Sequence, residues 1–213
     1  MKFLRTLAFA GAVSTLAGAG FAATVDATYQ STAGQTVTIN NGVTGQTNQQ
    51  VNAGAFSFAS SALGNFVAFC VDLATNLVTN QKITYEIRND LFDGAKVAQV
   101  QNLFDSSYGG LATNDDKAAF QIALWETLYG KQFAYSGSLL GKANGYLADA
   151  ANWTGGQLWD LTFLGDSKPT SQNLVTASAH VAPAPVPLPA AGFLLLGGLG
   201  GLGIVARRRR DAA

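Results

Sequence analysis

The octapeptide Phe66-Val67-Ala68-Phe69-Cys70-Val71-Asp72-Leu73 is apolar on both faces of an extended chain. A strand of this pattern must be covered on two sides, so it reads as the central strand of a packed domain. It also holds the only cysteine of the 213 residues. The chain around it has to supply a sheet to either side and a further layer on top.

The remaining sequence offers both. Gln35-Thr36-Val37-Thr38-Ile39 and Ala55-Phe56-Ser57-Phe58 alternate polar and apolar residues, and Ile83-Thr84-Tyr85-Glu86-Ile87-Arg88 reads as a half-buried strand with Ile83, Tyr85 and Ile87 inward. Asn40-Asn41-Gly42 and Leu63-Gly64-Asn65 are turn signals between these runs. The middle turns helical. Val97, Val100, Leu103 and Phe104 follow helical spacing. The next helix starts at a Thr113 or Asn114 cap, carries Asp115 and Asp116 at its positive end, and runs to Tyr129 before Gly130. A weaker helical pattern covers residues 139–150. Strand-like alternation returns at 157–163, and residues 172–181 read as a last strand. The expected fold is α+β: a single β-rich domain, sandwich or barrel-like, with a helical subdomain, over residues 23–181.

The two ends differ in kind from this domain. Lys2 and Arg5 precede an apolar stretch that closes on the small-x-small site Gly20-Phe21-Ala22, the pattern of a secretory signal peptide over residues 1–22. All five prolines lie at or after position 169, and residues 182–187 read as an extended Pro-rich spacer. Residues 188–213 form a tail. The stretch Val186, Pro187, Leu188, Pro189, Ala190 leads into a short apolar span, residues 190–206, closed by Arg207, Arg208, Arg209 and Arg210. Such a basic cluster holds its end of a spanning segment on the cytoplasmic side.

This order of motifs, over residues 186–210, resembles the PEP-CTERM sorting signals in their VPLPA variant. The resemblance implies export through the Sec machinery, transient anchoring in the inner membrane of a Gram-negative, polysaccharide-producing bacterium, and processing by an exosortase-type enzyme. The tail is an address and leaves the cargo's role open. Six of the 13 basic residues and one of the 13 acidic ones lie in the two ends, which leaves 7 basic and 12 acidic residues, a net charge near −5. An acidic exported domain is a poor nucleic-acid binder.

Most catalytic templates are missing. The one histidine, His180, stands at the mouth of the spacer, which removes Ser-His-Asp, Cys-His and histidine-based metal chemistry from the folded part. Scattered aspartates (Asp90, Asp93, Asp105, Asp115, Asp116) form no regular calcium loop and read as caps and turns. No cofactor motif is present. Cys70 is a different matter. A lone cysteine in an oxidising compartment must be buried and inert, paired between chains, or chemically committed. Buried cysteine is common, and Gln121, Phe120 and Trp125 at helical spacing are equally at home in a core.

Together, Phe69-Cys70 and Gln121-Ile122-Ala123-Leu124-Trp125 resemble the thioester domains of bacterial surface adhesins, the TQxA family. The resemblance implies a bond between Cys70 Sγ and the side-chain carbonyl of Gln121, formed with loss of ammonia. Phe69 and Trp125 would then shield it from water. Glu126 and Asp72 either assist proton transfer or cap their elements. The function implied is an exported cell-surface or matrix protein that attaches covalently to an amine nucleophile, a single-use acylation rather than an enzyme's turnover. The alternative is a passive polysaccharide-matrix or carbohydrate-binding module, with Tyr108, Tyr129, Tyr135, Tyr146, Trp153 and Trp159 as stacking faces. The sequence of the two ends makes one direct prediction. Mass spectrometry of protein from its native host should find a chain that starts at Ala23 and lacks Arg207 to Arg210; retention of either end with active processing machinery would contradict it.

Overall fold

Strand β1 (Thr24–Asn41) pairs with one strand near its start and another along the rest of its length, and these two pairings close the sheet. The computed structural model describes residues 23–166 and 168–182. The expected signal peptide, almost all of the spacer and the whole sorting tail with its membrane span lie outside them. Among the described residues no helix is long and apolar enough to cross a membrane. The compact unit ends at His180.

The other strands are β2 (Gln46–Ser60), β3 (Gly64–Cys70), β4 (Lys82–Ile87), β5 (Phe133–Tyr135), β6 (Trp159–Asp166) and β7 (Leu174–Ala179). Their order is β2-β3-β7-β6-β4-β1-β5, with β1 paired to β2 as well. The first residues of β1 pair with β4, from Thr24↔Glu86 to Thr28↔Lys82, and from Thr28↔Ala59 onward β1 pairs with β2. Six antiparallel strands thus close into a barrel, and β5 extends β1 outside the ring. Closure removes the sheet edges that an open sheet would expose. The expected strands all form; of the two β architectures expected, the structure is the barrel.

A long strand that serves two partners must bend. A register shift between Tyr29 and Ser31 supplies one bend. Farther along, Gly34 stands opposite Gly54, where the two backbones approach too closely for a side chain. A Cβ on Gly34 would strike the Ala53 carbonyl oxygen, and Gly54 has φ +150°, which L side chains rarely adopt.

Three helices cover one side of the barrel: α1 (Gly94–Ser107), α2 (Asn114–Tyr129) and α3 (Leu140–Ala151). Thr113 and Asp116 form a reciprocal capping box at the start of α2. The Asp116 carboxylate also accepts from Lys142 of α3 at 2.6 Å; that bond, then those to Thr113, hold its pKa well below the usual carboxylate range. Residues 118–125 of α2 are all buried, and α2 touches β1, β2, α1 and α3. A helix apolar all round belongs between layers. Phe69 of β3 fixes the helices to the barrel. Its ring packs against Phe104, Tyr108 and Phe120, with centroids 6.2, 6.1 and 4.9 Å away. Gly54→Ala should lower stability by about 1–3 kcal/mol, as overpacking of a close approach does. A denaturant midpoint equal to that of the wild type would show that β1 and β2 do not need this contact.

Candidate functional site

The strand expected over residues 66–73 stops at Cys70, and the reason is Gln121. In the β3–β7 ladder, Val71 N donates to Asn173 O at 3.0 Å, so the N–H and C=O of Cys70 point away from β7. On that side the β2 ladder ends at the pair Phe56↔Ala68. The Gln121 carboxamide takes the vacant place: its Oε1 accepts from Cys70 N and its Nε2 donates to Cys70 O, both at 2.8 Å. Gln121 is fully buried. An amide side chain from the helix therefore completes the strand's hydrogen bonding.

This corrects the expected pairing of the Cys70 thiol with Gln121. Both polar atoms of that carboxamide are committed to the main chain, and the thiol lies elsewhere. Cys70 Sγ is 2.9 Å from Gln172 Oε1 and 2.8 Å from Asp72 O, and it accepts from Asp72 N at 3.3 Å. One S–H proton can serve only one of the two oxygens. The sulfur therefore sits against the Gln172 carboxamide closely whichever oxygen takes the proton. Gln172 is 94% buried, and among the described residues its Nε2 has no hydrogen-bond partner.

Gln172 is held by the turn between β6 and β7. The Asp166 carboxylate accepts from the N–H groups of Lys168, Thr170 and Ser171 and from the Thr170 hydroxyl, at 2.6 to 2.9 Å. Burial alone would raise the Asp166 pKa, but these donors outweigh it and the pKa falls. Gln172 N then donates to Asn76 O, and Ser171 Oγ accepts from Val78 N, which stitches this turn to the loop after Cys70. Tyr85, buried in the barrel wall, reaches Ser171 Oγ at 3.1 Å. Asn41, whose sequence reads only as a turn former, is buried and donates to Leu73 O at 2.8 Å.

Helix α2 lays one stripe of side chains along the same backbone. Gln121, Trp125 and Tyr129 recur every four residues, so they share a face. Gln121 holds residue 70. The Tyr129 hydroxyl donates to Val71 O at 2.8 Å and accepts from Leu73 N at 3.3 Å. Trp125, between them, is buried beside the thiol. Its indole N–H lies near enough to lower the thiol pKa but makes no hydrogen bond of good geometry. Phe69, expected as a shield, alternates to the opposite face of β3 and anchors the helices instead. The Asp72 carboxylate caps its own turn through Ala74 N at 2.7 Å, and Glu126 is exposed beside Gln99 and Asn102. A cavity of about 250 Å³ opens onto the site, lined by Gln49, Asn52, Thr79, Cys70, Trp125 and Gln172 among others.

Among the described residues no three His, Cys, Asp or Glu side chains gather as metal ligands. Of the aromatics considered for sugar stacking, Tyr108, Tyr129, Tyr135, Tyr146 and Trp159 pack against the core, and Trp153 is half-buried. His180 pairs with Asp160 at 2.7 Å.

No family model and no curated protein matches the chain. Some solved structures are similar to it. The N-terminal domain of the Streptococcus pyogenes pilus tip adhesin Cpa is 12% identical, with TM-score 0.44 over 61% of this chain and 85% of that one. The N-terminal thioester domain of a surface protein from Clostridium perfringens is 11% identical, with TM-score 0.46 over 74% and 100%. The thioester domain of the Staphylococcus aureus TIE protein is 13% identical, with TM-score 0.45 over 76% and 80%. Likenesses this distant carry no conclusion about the chemistry of this chain, which rests on the geometry above.

Burial pushes the Cys70 thiol up to about 12, against the smaller opposing effects of the Asp72 N–H and Trp125. Between its ordinary value of 9.0 and about 12, the folded chain keeps the proton that the unfolded chain has lost. Stability therefore falls as pH rises through that window. Urea midpoints of a free-thiol preparation should drop more steeply above pH 9 than those of Cys70→Ala; parallel profiles would contradict a buried thiol.

Proposed function

We propose that this domain forms an internal thioester between Cys70 Sγ and the side-chain carbonyl of Gln172, and uses it once, on an exported cell surface or matrix, to acylate an amine of a partner. The observation that carries the reading is the 2.9 Å approach of the thiol to Gln172 Oε1 in a buried site whose amide nitrogen is left without a partner. Oε1 is bonded to the carbon that sulfur must attack, so the thiol is held beside the group that would acylate it. An orphaned buried N–H group is costly. Release of that nitrogen as ammonia removes the cost.

The residues divide the work. Asp166 and Ser171 hold the turn that carries the acyl donor. Gln121 and Tyr129 hold the nucleophile's backbone from the helix side. Burial keeps water from the product, because a thioester is an electrophile that bulk water would hydrolyse. The high thiol pKa fits a sulfur that loses its proton during bond formation rather than beforehand. The cavity lined by Gln49, Asn52 and Thr79 is a polar way in for an amine. No turnover is implied, since each acyl group is spent on one attachment.

An intact mass separates the two glutamines. The wild-type domain should weigh one ammonia less than its sequence and show no thiol under denaturing conditions. Gln172→Glu, a far worse acyl donor of the same shape, should have its full sequence mass and one titratable thiol. Gln121→Glu should retain the capacity to lose ammonia, at a lower rate, because Gln172 is intact. Loss of ammonia that persists in Gln172→Glu and vanishes in Gln121→Glu would return the bond to Gln121 and overturn this assignment.

A further inference from the structure

Among the described residues, two buried polar groups at the site have no hydrogen-bond partner, and as the Gln172 carboxamide stands both are donors. One is the Trp125 indole N–H, a donor only; the other is the amide nitrogen of Gln172. Trp125 is 98% buried, and both residues line the cavity that opens onto the thiol. The helix stripe places Trp125 between two bonds to the chain around Cys70, from Gln121 to residue 70 and from Tyr129 to residues 71 and 73. A buried donor without an acceptor is penalised unless some state of the molecule uses it.

Gln172 can supply that acceptor. As the carboxamide stands, Oε1 faces sulfur and Nε2 faces no partner. Rotation about its last side-chain torsion exchanges the two atoms. The nitrogen then lies against the thiol proton, and the oxygen lies where the unpaired nitrogen was. This is the orientation that chemistry needs: the nitrogen must collect a proton to leave, and the oxygen must carry negative charge when sulfur adds.

We infer that the Trp125 indole N–H is the donor that receives the Gln172 carbonyl oxygen as Cys70 adds to it, and that it polarises the finished thioester toward its amine. This rests on the Cys70–Gln172 thioester proposed above. In the forward step the C–S bond forms, the C–N bond breaks, and the S–H proton leaves with nitrogen as ammonia. In the reverse sense an amine adds to the same carbon, the C–S bond breaks, and the proton shed by nitrogen returns to sulfur. Neither step is a redox step. Both pass through an oxyanion on the same oxygen, so one donor serves both. A donor placed at a developing oxyanion in a site closed to water is worth far more than one in solution. Of the backbone N–H groups near the thiol, Cys70 N is taken by Gln121, Val71 N by Asn173 and Leu73 N by Tyr129, while Asp72 N donates to the sulfur itself.

The test replaces the indole N–H without changing shape. Site-specific incorporation of 3-benzothienylalanine at position 125 keeps the bicyclic ring and puts sulfur where the N–H was; Trp125→Phe is the encodable companion. In the full chain, thioester formation followed by loss of ammonia, and opening by methylamine followed by mass gain, should both slow by roughly a hundredfold to a thousandfold, the range for a lost oxyanion donor. Infrared spectra with 13C-labelled glutamine should show the thioester carbonyl stretch at higher frequency in the isostere, since a hydrogen bond to that oxygen is gone. A structural role alone would leave that frequency unmoved. Equal rates and an equal carbonyl frequency in wild type and isostere would overturn the role of Trp125 while the ammonia deficit still upheld the thioester. A wild-type domain at full sequence mass with a free thiol would overturn both.

Discussion

The hydrogen-bonded pair between the Gln121 carboxamide and the Cys70 peptide is the contact on which the rest of the site depends. A strand inside a barrel has to satisfy its N–H and C=O groups, and Cys70 lies one step beyond the reach of the β2 ladder. Gln121 closes that gap from a helix. In doing so it pins the strand end at the barrel rim and fixes the rotation of α2. Trp125 and Tyr129 then have no choice of neighbours, because they stand on the same helical face. A hydrophobic residue at 121 would leave two buried peptide groups unpaired, at a cost of about 1–3 kcal/mol each. That is a large share of the stability of a domain of this size.

The electrostatics of the site follow from the same burial. Among the described residues no cation stands near the thiol to draw off its proton, and the nearest opposing influences are single N–H groups. A buried thiol without a base is inert toward solvent oxidants. The carboxamide that the thiol meets is that of Gln172. Asp166 gathers four donors to fix the turn before that carboxamide, so the rigid part of the turn lies next to the thiol's partner. The rigidity of α2, strapped by its capping box and by the Asp116–Lys142 pair, does the same from the other side.

Much of this was legible in the residues. The two-faced octapeptide located the inner strand, Thr113 and Asp116 located the helix start, and the lone cysteine located the buried cluster of polar groups. The task of Gln121 was misread for a physical reason: a glutamine on a buried helix face can meet either a thiol or a peptide, and only the register of β2 against β3 decides which. Gln172 went unnoticed because Ser171-Gln172-Asn173 looks like a polar lead-in to a strand. The available signal was its place directly before the apolar pair Leu174-Val175, which forces the residue ahead of them toward the core. Barrel closure was hidden too. It requires β1 to change partners midway, and the alternating pattern marks only the part of β1 near Val37 and Ile39, where it pairs with β2.

Strands β3 and β7 are neighbours in the ring, yet Cys70 and Gln172 are 102 positions apart in the chain. Strands β4, β5 and β6 and all three helices lie on the chain between them. If tension is applied along the polypeptide, a covalent link at this point carries the load straight across from β3 to β7. The intervening segment becomes a slack loop that feels no pull. The short β5 and the three helices would then be outside the load path. Extension could release only the segments that precede residue 70 and follow residue 172. Under the proposed function, an amine that opened such a link would remove the shortcut and return the loop to the line of force, so that making an attachment would also lengthen and soften the tether.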